Sequence, residues 1–354
     1  MIESGRMSFS GAAILVVGGA GFVGSNLVRR LLAEKAGRVL VVDNLLSSER
    51  DNLPEHPALE FREGSITDDR ILAGLQDELD FIFHLATYHG NQSSIADPLA
   101  DHENNTLTTL KLYERIKRFK KLKRVVYSGA GCAVAEKTYD KARATSEEAP
   151  ISLVMDSPYS ISKIIGEFYS VYYQRQHGLP VVRARFQNVY GPGEVLGAGQ
   201  WRGTPATVWR NVTPTFIYRA LNKAPLPLEN EGRATRDFIF VEDIVRGLMA
   251  CALRGKPGDV YNLASGVETS IRALAELINQ LADNPAGVQV APARPWDHSG
   301  CRFGSPDKSK RELGFEVACA LEDGLRATIE WTRLNRERIG RCIARHARYC
   351  SVDV

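Results

Sequence analysis

Tyr159 and Lys163 stand four residues apart in the segment Ser157-Pro158-Tyr159-Ser160-Ile161-Ser162-Lys163. Ser157 suits a helix cap and Pro158 the first helical turn, so the two side chains share one helical face. An ammonium close to a phenol stabilises the phenolate, which equips Tyr159 to take a proton from a substrate hydroxyl. The hydride leaving the same carbon then needs an acceptor. A place for one lies near the start of the chain. The β-branched run Ala13–Val17 breaks into Gly18, Gly19, Gly21 and Gly24, then resumes at helical spacing with Phe22, Val23, Leu27, Val28, Leu31 and Leu32. Such glycines allow a tight turn and let the backbone approach a pyrophosphate whose charge sits at the helix N-terminus; Gly24 lets helix and strand pack closely. Gly37 closes the helix, and a second apolar strand ends on Asp43. That acid lies about 20 residues past the last glycine, where a carboxylate bonds both ribose hydroxyls and repels a 2′-phosphate. Strand, glycine turn, helix, strand and acid make a site for NAD in preference to NADP.

The elements that carry these residues follow from length and pattern. A chain of 354 residues can bury a core for one large α/β domain or two closely joined ones. Apolar strands at 59–62, 80–86, 124–128 and 180–185 alternate with helical patterns at 98–119 and from Pro158 to Gly178. That alternation predicts an α/β fold with a doubly wound parallel sheet, the Rossmann arrangement. Ligands in such folds sit beyond the carboxyl ends of the strands, so chemistry is expected after His84, Ser128 and Arg185. Residues 191–227 are irregular and rich in Gly, Pro, Thr and Trp, the composition of a substrate loop or lid. Segment 237–253 reads as a strand and helix, 260–264 as a strand, and 269–281 and 321–334 as helices. The expected division is an NAD-binding domain over 1–185, with 237–264 returning to its sheet. A smaller, mostly C-terminal substrate-binding domain takes 186–236 and 265–334, and a basic tail 335–354.

A net charge of +3 is too small to point to nucleic acid. No apolar run has the length of a membrane span, and MIESGRMSFS lacks a hydrophobic signal core, so the expected location is the cytoplasm. Cys132, Cys251, Cys301, Cys319, Cys342 and Cys350 show no C-x-x-C pair and fit reduced thiols better than a disulfide frame or a metal site. The basic run 117–123 reads as a solvated helix end, and the six arginines of 333–348 as a solvated terminal helix rather than a membrane-surface segment.

Ten motifs recur in order: GGAGFVGSNL, VVDN, SITD, HLAT, NNT, PYSISK, RFQNVYGP, TRDFIFVEDI, VYNLASG and RPWD. Through them, residues 13–334 resemble the extended short-chain dehydrogenases/reductases, in the NAD-dependent epimerase/dehydratase family that acts on nucleotide sugars. The resemblance implies a cofactor set of Gly18, Gly21, Phe22, Val23, Gly24, Asp43, Asn44, Ser65, Ile66, Asp68, Leu85, Ala86, Thr87, Asn105, Ser128, Tyr159 and Lys163. Within it, Ile66 and Asp68 flank the adenine, Leu85, Ala86 and Thr87 line the nicotinamide ribose path, and Asn105 lies near the cofactor. For the substrate it implies Asn188 near a diphosphate, Arg236 and Arg294 as phosphate-binding arginines, and Asp297 near the nucleoside ribose. A guanidinium fork suits a diphosphate. Arg202 and Arg210, in the loop 191–210, could hold a carboxylate.

The chain departs from that family after its fifth strand. Family members carry a serine-rich run there, with a Ser or Thr that hydrogen-bonds the reacting hydroxyl. This sequence reads Tyr127-Ser128-Gly129-Ala130-Gly131-Cys132-Ala133-Val134, so the usual position falls on Ala130 or Gly131. Cys132 sits where GDP-mannose 3,5-epimerases carry a catalytic cysteine, and Trp201-Arg202-Gly203 faintly resembles a Trp-Lys-Gly stretch of that group. A 4,6-dehydratase needs an acid pair in this loop, and Gly129–Ala135 has no carboxylate; Glu136 follows outside the aligned position. The reading is an NAD-dependent nucleotide-sugar epimerase passing through a 4-keto sugar, with Tyr159, Lys163, Ser128 and Cys132 as catalytic candidates. Its leading form is a UDP-hexose or UDP-hexuronate 4-epimerase. A GDP-sugar 3,5-epimerase using Cys132, a dehydratase and a non-catalytic NAD-sensing protein are the rivals. The resemblance also implies a homodimer through helices 98–119 and 158–177, with Leu107, Leu110, Phe168 and Tyr172 facing outward; no membrane and no nucleic-acid partner is expected.

Overall fold

Seven short strands form one parallel sheet: β1 (Ala13–Val17), β2 (Arg38–Asp43), β3 (Leu59–Glu63), β4 (Phe81–His84), β5 (Arg124–Ala130), β6 (Val181–Phe186) and β7 (Val260–Leu263). The structure is a computed structural model and describes residues 7–88, 90–135, 138–194, 211–293, 297–298 and 300–345. The strand order is β7-β6-β5-β4-β1-β2-β3. Chain progression reverses between β1 and β4, which opens a crevice at their carboxyl ends. Val17, His84 and Tyr127 are in register there. Alternate residues feed the two faces. Ile14, Val16, Val39 and Val41 pack with Leu27, Leu31, Ile244 and Leu248 on one side, while Leu15, Val17, Leu40 and Val42 pack with Leu112, Tyr113 and Ile116 on the other.

The helix Pro158–His177 has the ends its sequence asks for. Ser157 Oγ accepts from the Ser160 N–H at 3.3 Å, Pro158 opens the first turn, and Gly178 closes the helix in the left-handed region at φ 68°. Helix 98–119 departs from expectation. It ends at Ile116, and its middle, His102–Leu107, widens into a π-turn between Pro98–Asp101 and Thr108–Ile116. A π-turn re-aims side chains and is found at functional sites; this one carries Asn105. The basic run at its end is partly neutralised: Lys117 pairs with Glu114 at 2.7 Å and Lys123 with Asp80 at 2.9 Å.

A separate core gathers Tyr190, Phe216, Ile217, Leu226, Leu228, Phe240, Leu274, Ile278, Leu325 and Ile329. Within 191–227, read as irregular, Val212–Leu221 is a helix and Leu226–Glu229 pairs with Val288–Ala291. Asn91–Ala96 and Asp307–Leu313 are further helices not anticipated, and Thr269–Ser270 is a short strand before the helix Ile271–Leu281. Beyond Leu321–Leu334, the tail forms the helix Arg336–Arg345, which buries Ile339 and Cys342 against the protein. Among the described residues no helix is long and apolar enough to cross a membrane, and Cys132, Cys251, Cys301, Cys319 and Cys342 are free thiols. Cys350 lies outside them.

Candidate active site

The glycine turn after β1 is shaped by contacts that admit no side chain. Gly18 has φ +81°, and a Cβ there would stand 2.5 Å from the Ala86 nitrogen; a Cβ on Gly24 would run into the carbonyl oxygen of Gly18. Helix Phe22–Ala33 therefore starts hard against the strand end, and no side chain caps it. Asp43 is buried, with more partners than a ribose reader needs. Its Oδ2 accepts from the Ala20 N–H at 2.9 Å, and its Oδ1 accepts from the Leu45 N–H and the Ser48 hydroxyl, each at 2.9 Å. Asn52 holds the other side of the turn by donating to the Ala20 carbonyl at 2.6 Å. The Asn52 side-chain oxygen in turn accepts from Arg338 of the tail helix, and its backbone carbonyl accepts from Arg29.

A cavity of about 480 Å³ runs from this turn across the carboxyl ends of the strands. Gly18, Gly21, Phe22, Val23, Gly24, Asp43, Asn44, Ser65, Ile66, Leu85, Ala86, Thr87, Ser128, Cys132, Tyr159, Lys163, Asn188, Arg236 and Asp297 all line it. Two candidates do not. Asp68 spends its carboxylate capping the helix Asp69–Ala73, where it accepts from the Arg70 N–H at 2.8 Å. Asn105 sits behind the wall: its Oδ1 accepts from Thr87 Oγ1 at 2.9 Å and the Tyr88 N–H at 2.7 Å, and its Nδ2 donates to Asp101 at 2.7 Å and Ser162 Oγ at 3.2 Å. Asn105 thus ties the Thr87 segment to the helix bearing Tyr159. Arg202, Arg210 and Arg294, with Trp201, Gly203 and Glu136, lie outside the described residues.

Tyr159 and Lys163 meet as their spacing requires. The Lys163 ammonium lies 5.8 Å from the centre of the Tyr159 ring and donates to the Ser128 carbonyl at 3.1 Å. Burial pushes its pKa down to about 8, against the opposing charges of Asp101, Cys132 and Glu167. The Ser128 hydroxyl donates to the His84 carbonyl at 3.0 Å. His84 is buried, and burial pushes its imidazole down to about 3, so it stays neutral against the nearby Lys163 charge. A bidentate ion pair from Glu167 to Arg185, both contacts 2.8 Å, fixes the Tyr159 helix onto β6.

The far end of the cavity is cationic. Arg236 is buried, and its Nη1 donates to the Thr235 and Gly300 carbonyls, both at 2.6 Å. Its pKa falls to about 9, first through burial and then through Arg302, while Asp297 opposes the shift. Arg302 also lines the cavity, as do Gln92, Ser93 and Gln187. None of these four belonged to the candidate set. Among the described residues, Gln92 Oε1 and Ser93 Oγ are buried without a hydrogen-bond partner, a state that a polar ligand would relieve. The glycine cradle fits a dinucleotide, the Tyr159–Lys163 pair fits proton transfer beside it, and the Asn188–Arg236–Arg302 end fits an anion.

The model of the NAD dependent epimerase/dehydratase family matches residues 14–264. In structure, the chain is similar to the Bordetella bronchiseptica enzyme WbmF solved in complex with NAD+ and UDP. The two share 64% sequence identity over 96% of this chain and 98% of that one, with a TM-score of 0.85. In sequence it is 32% identical, over 326 residues, to the UDP-glucose 4-epimerase of Mycolicibacterium smegmatis, covering 90% of this chain and 98% of that protein. It is also 27% identical, over 333 residues, to the trifunctional UDP-glucose 4,6-dehydratase/UDP-4-keto-6-deoxy-D-glucose 3,5-epimerase/UDP-4-keto-L-rhamnose-reductase RHM2 of Arabidopsis thaliana. That match covers 92% of this chain and 47% of the plant protein, so the chain spans about half the length of that relative.

Proposed function

Since the chain belongs to the NAD-dependent epimerase/dehydratase family, we propose that this enzyme binds NAD and inverts carbon 4 of a UDP-hexose or UDP-hexuronate. The observation that carries the reading is the Tyr159–Lys163–Ser128 arrangement, set beside the glycine cradle in one cavity with no carboxylate in Gly129–Ala135. Bound NAD supplies the hydride acceptor and donor and leaves each cycle unchanged. Tyr159 accepts the proton of the carbon-4 hydroxyl and returns it, and Lys163 stabilises the phenolate between those events. Asn188, Arg236 and Arg302 hold the diphosphate, and the core around Phe216, Phe240 and Leu274 carries the substrate side of the cavity. The lack of an acid after β5 disfavours elimination of water, the step a dehydratase adds to the same oxidation.

One observation favours a second reading. Cys132 lines the cavity within the electrostatic reach of both Lys163 and Arg236, where a thiol could exchange protons at carbons 3 and 5. Turnover of UDP-hexoses and UDP-hexuronates in heavy water separates the two. A carbon-4 hydride never meets solvent, so 4-epimerisation gives product with no deuterium on the ring. Deuterium at carbon 3 or 5, lost in Cys132→Ala and kept in Ser128→Ala, would establish the 3,5-epimerase.

We also propose a homodimer. Ile161, Phe168 and Tyr172 are exposed along one face of the helix Pro158–His177, an apolar stripe that a second copy would cover. Leu110 contributes less than expected, because it packs against the core of its own chain.

A further inference from the structure

At the end of β5 the cavity floor offers a substrate few groups to bind. Gly129 and Ala130 bring no polar side chain, and the Ser128 hydroxyl is committed to the His84 carbonyl. The space above Gly131 is nevertheless filled. A Cβ on Gly131 would fall on the carboxamide of Gln187, 2.8 Å from its Cδ and closer still to its nitrogen. The same nitrogen lies 2.6 Å from where a Cβ on Gly304 would be. Gln187 stands just past β6, beside Asn188, and its side chain crosses between two glycines to reach the end of β5. Tyr159 packs on this same turn, against Ala130, Cys132, Ala133 and Val134. The Gln187 carboxamide lines the cavity and has no hydrogen bond with the described residues. An amide held in a narrow slot with two N–H donors unspent is a binding group awaiting an acceptor.

We propose that the Gln187 carboxamide, seated over Gly131, donates a hydrogen bond to the sugar oxygen that Tyr159 deprotonates. The inference rests on the nucleotide-sugar reading above and goes further by assigning the group that holds the reacting oxygen. An amide N–H can donate to that oxygen both as a hydroxyl and as a ketone, so the contact persists through the cycle. Unlike a hydroxyl, the amide cannot relay a proton. The proton therefore passes directly between the substrate oxygen and Tyr159, and Gln187 fixes the line along which it moves. Glycine at 131 and glutamine at 187 are then one unit, because a side chain at 131 and the amide compete for the same volume.

The test is a cycle of variants: Gln187→Leu, Gln187→Ala, Gly131→Ser and Gln187→Ala/Gly131→Ser, each checked by thermal melting. Turnover of UDP-hexoses and UDP-hexuronates and NAD affinity are measured for each. Gln187→Leu keeps nearly the same volume and should lower kcat/KM by roughly 10- to 100-fold with NAD affinity unchanged. Gly131→Ser should harm the wild type, because it displaces the amide. Gly131 lies in a 3₁₀ turn that accepts a side chain, so the same substitution should restore activity at least about fivefold in the Gln187→Ala background. Gln187→Leu within twofold of wild type, or Gly131→Ser equally harmful in both backgrounds, overturns the inference and leaves the 4-epimerase reading standing. A wild type that turns over no UDP-sugar of either class overturns both.

Discussion

Arg338, on the last helix of the chain, donates a hydrogen bond to the side-chain oxygen of Asn52, whose amide holds the Ala20 carbonyl of the glycine turn. Two residues that are 286 positions apart thus form one brace, and the tail helps to hold the glycine turn. Arg338→Ala should lower stability by about 1 kcal/mol, a Tm shift of about 1–2 °C, and weaken NAD binding roughly two- to fivefold. Calorimetric melting and NAD titration check both numbers; an unchanged NAD affinity would confine Arg338 to holding the tail.

Tyr159→Phe removes a proton acceptor and little contact surface. Turnover should fall by roughly 10²- to 10⁴-fold while NAD binding stays within about twofold. Steady-state rates beside NAD titration decide it, and near-normal turnover would remove Tyr159 from the chemistry.

Lys163 links the site to pH through stability. Its ammonium has a pKa of about 8 in the folded protein against 10.5 for the free group. Between those values the unfolded chain binds more protons, so this group's contribution to stability rises with pH. Burying the charge costs stability below pH 8, and that cost fades toward pH 10.5. Lys163→Met should therefore be at least as stable as the wild type at pH 7 and lose its advantage as pH rises, while turnover is lost throughout. Denaturant titrations at several pH values, without NAD, measure this.

The proposed homodimer is tested on its exposed stripe. Phe168→Glu with Tyr172→Glu places two charges on the face that also exposes Ile161, so light scattering should give a dimer mass for the wild type and a monomer mass for the variant. A wild-type monomer at micromolar concentration would remove the interface.

Much of the fold was legible because periodicity and punctuation agree along much of the chain. Ala13–Val17 and Leu321–Leu334 occur at the limits their apolar pattern implied. The π-turn His102–Leu107 was not legible, because one extra residue per turn leaves the apolar pattern close to helical. Helix Val212–Leu221 hid in a segment whose glycines, prolines and threonines suggested a loop. The site divides in the same way. Tyr159, Lys163 and the glycines announce themselves by spacing. Gln187 and Arg302 do not, since each becomes a cavity residue only when strands distant in sequence converge. Asp68 shows a competing demand: a motif position suggested a place beside the adenine, and the local backbone also engages the carboxylate as a helix cap.

Asp43 also bears on how this protein could change over evolutionary time. Its carboxylate accepts from Ala20, Leu45 and Ser48 at once, so the residue we propose to select against a 2′-phosphate also holds up the loops on both sides. A lineage shifting toward NADP would have to remove that charge and lose three tethers in the same step. Cofactor preference here is insulated from drift: intermediates that relax the selectivity are also intermediates in which the cradle sags.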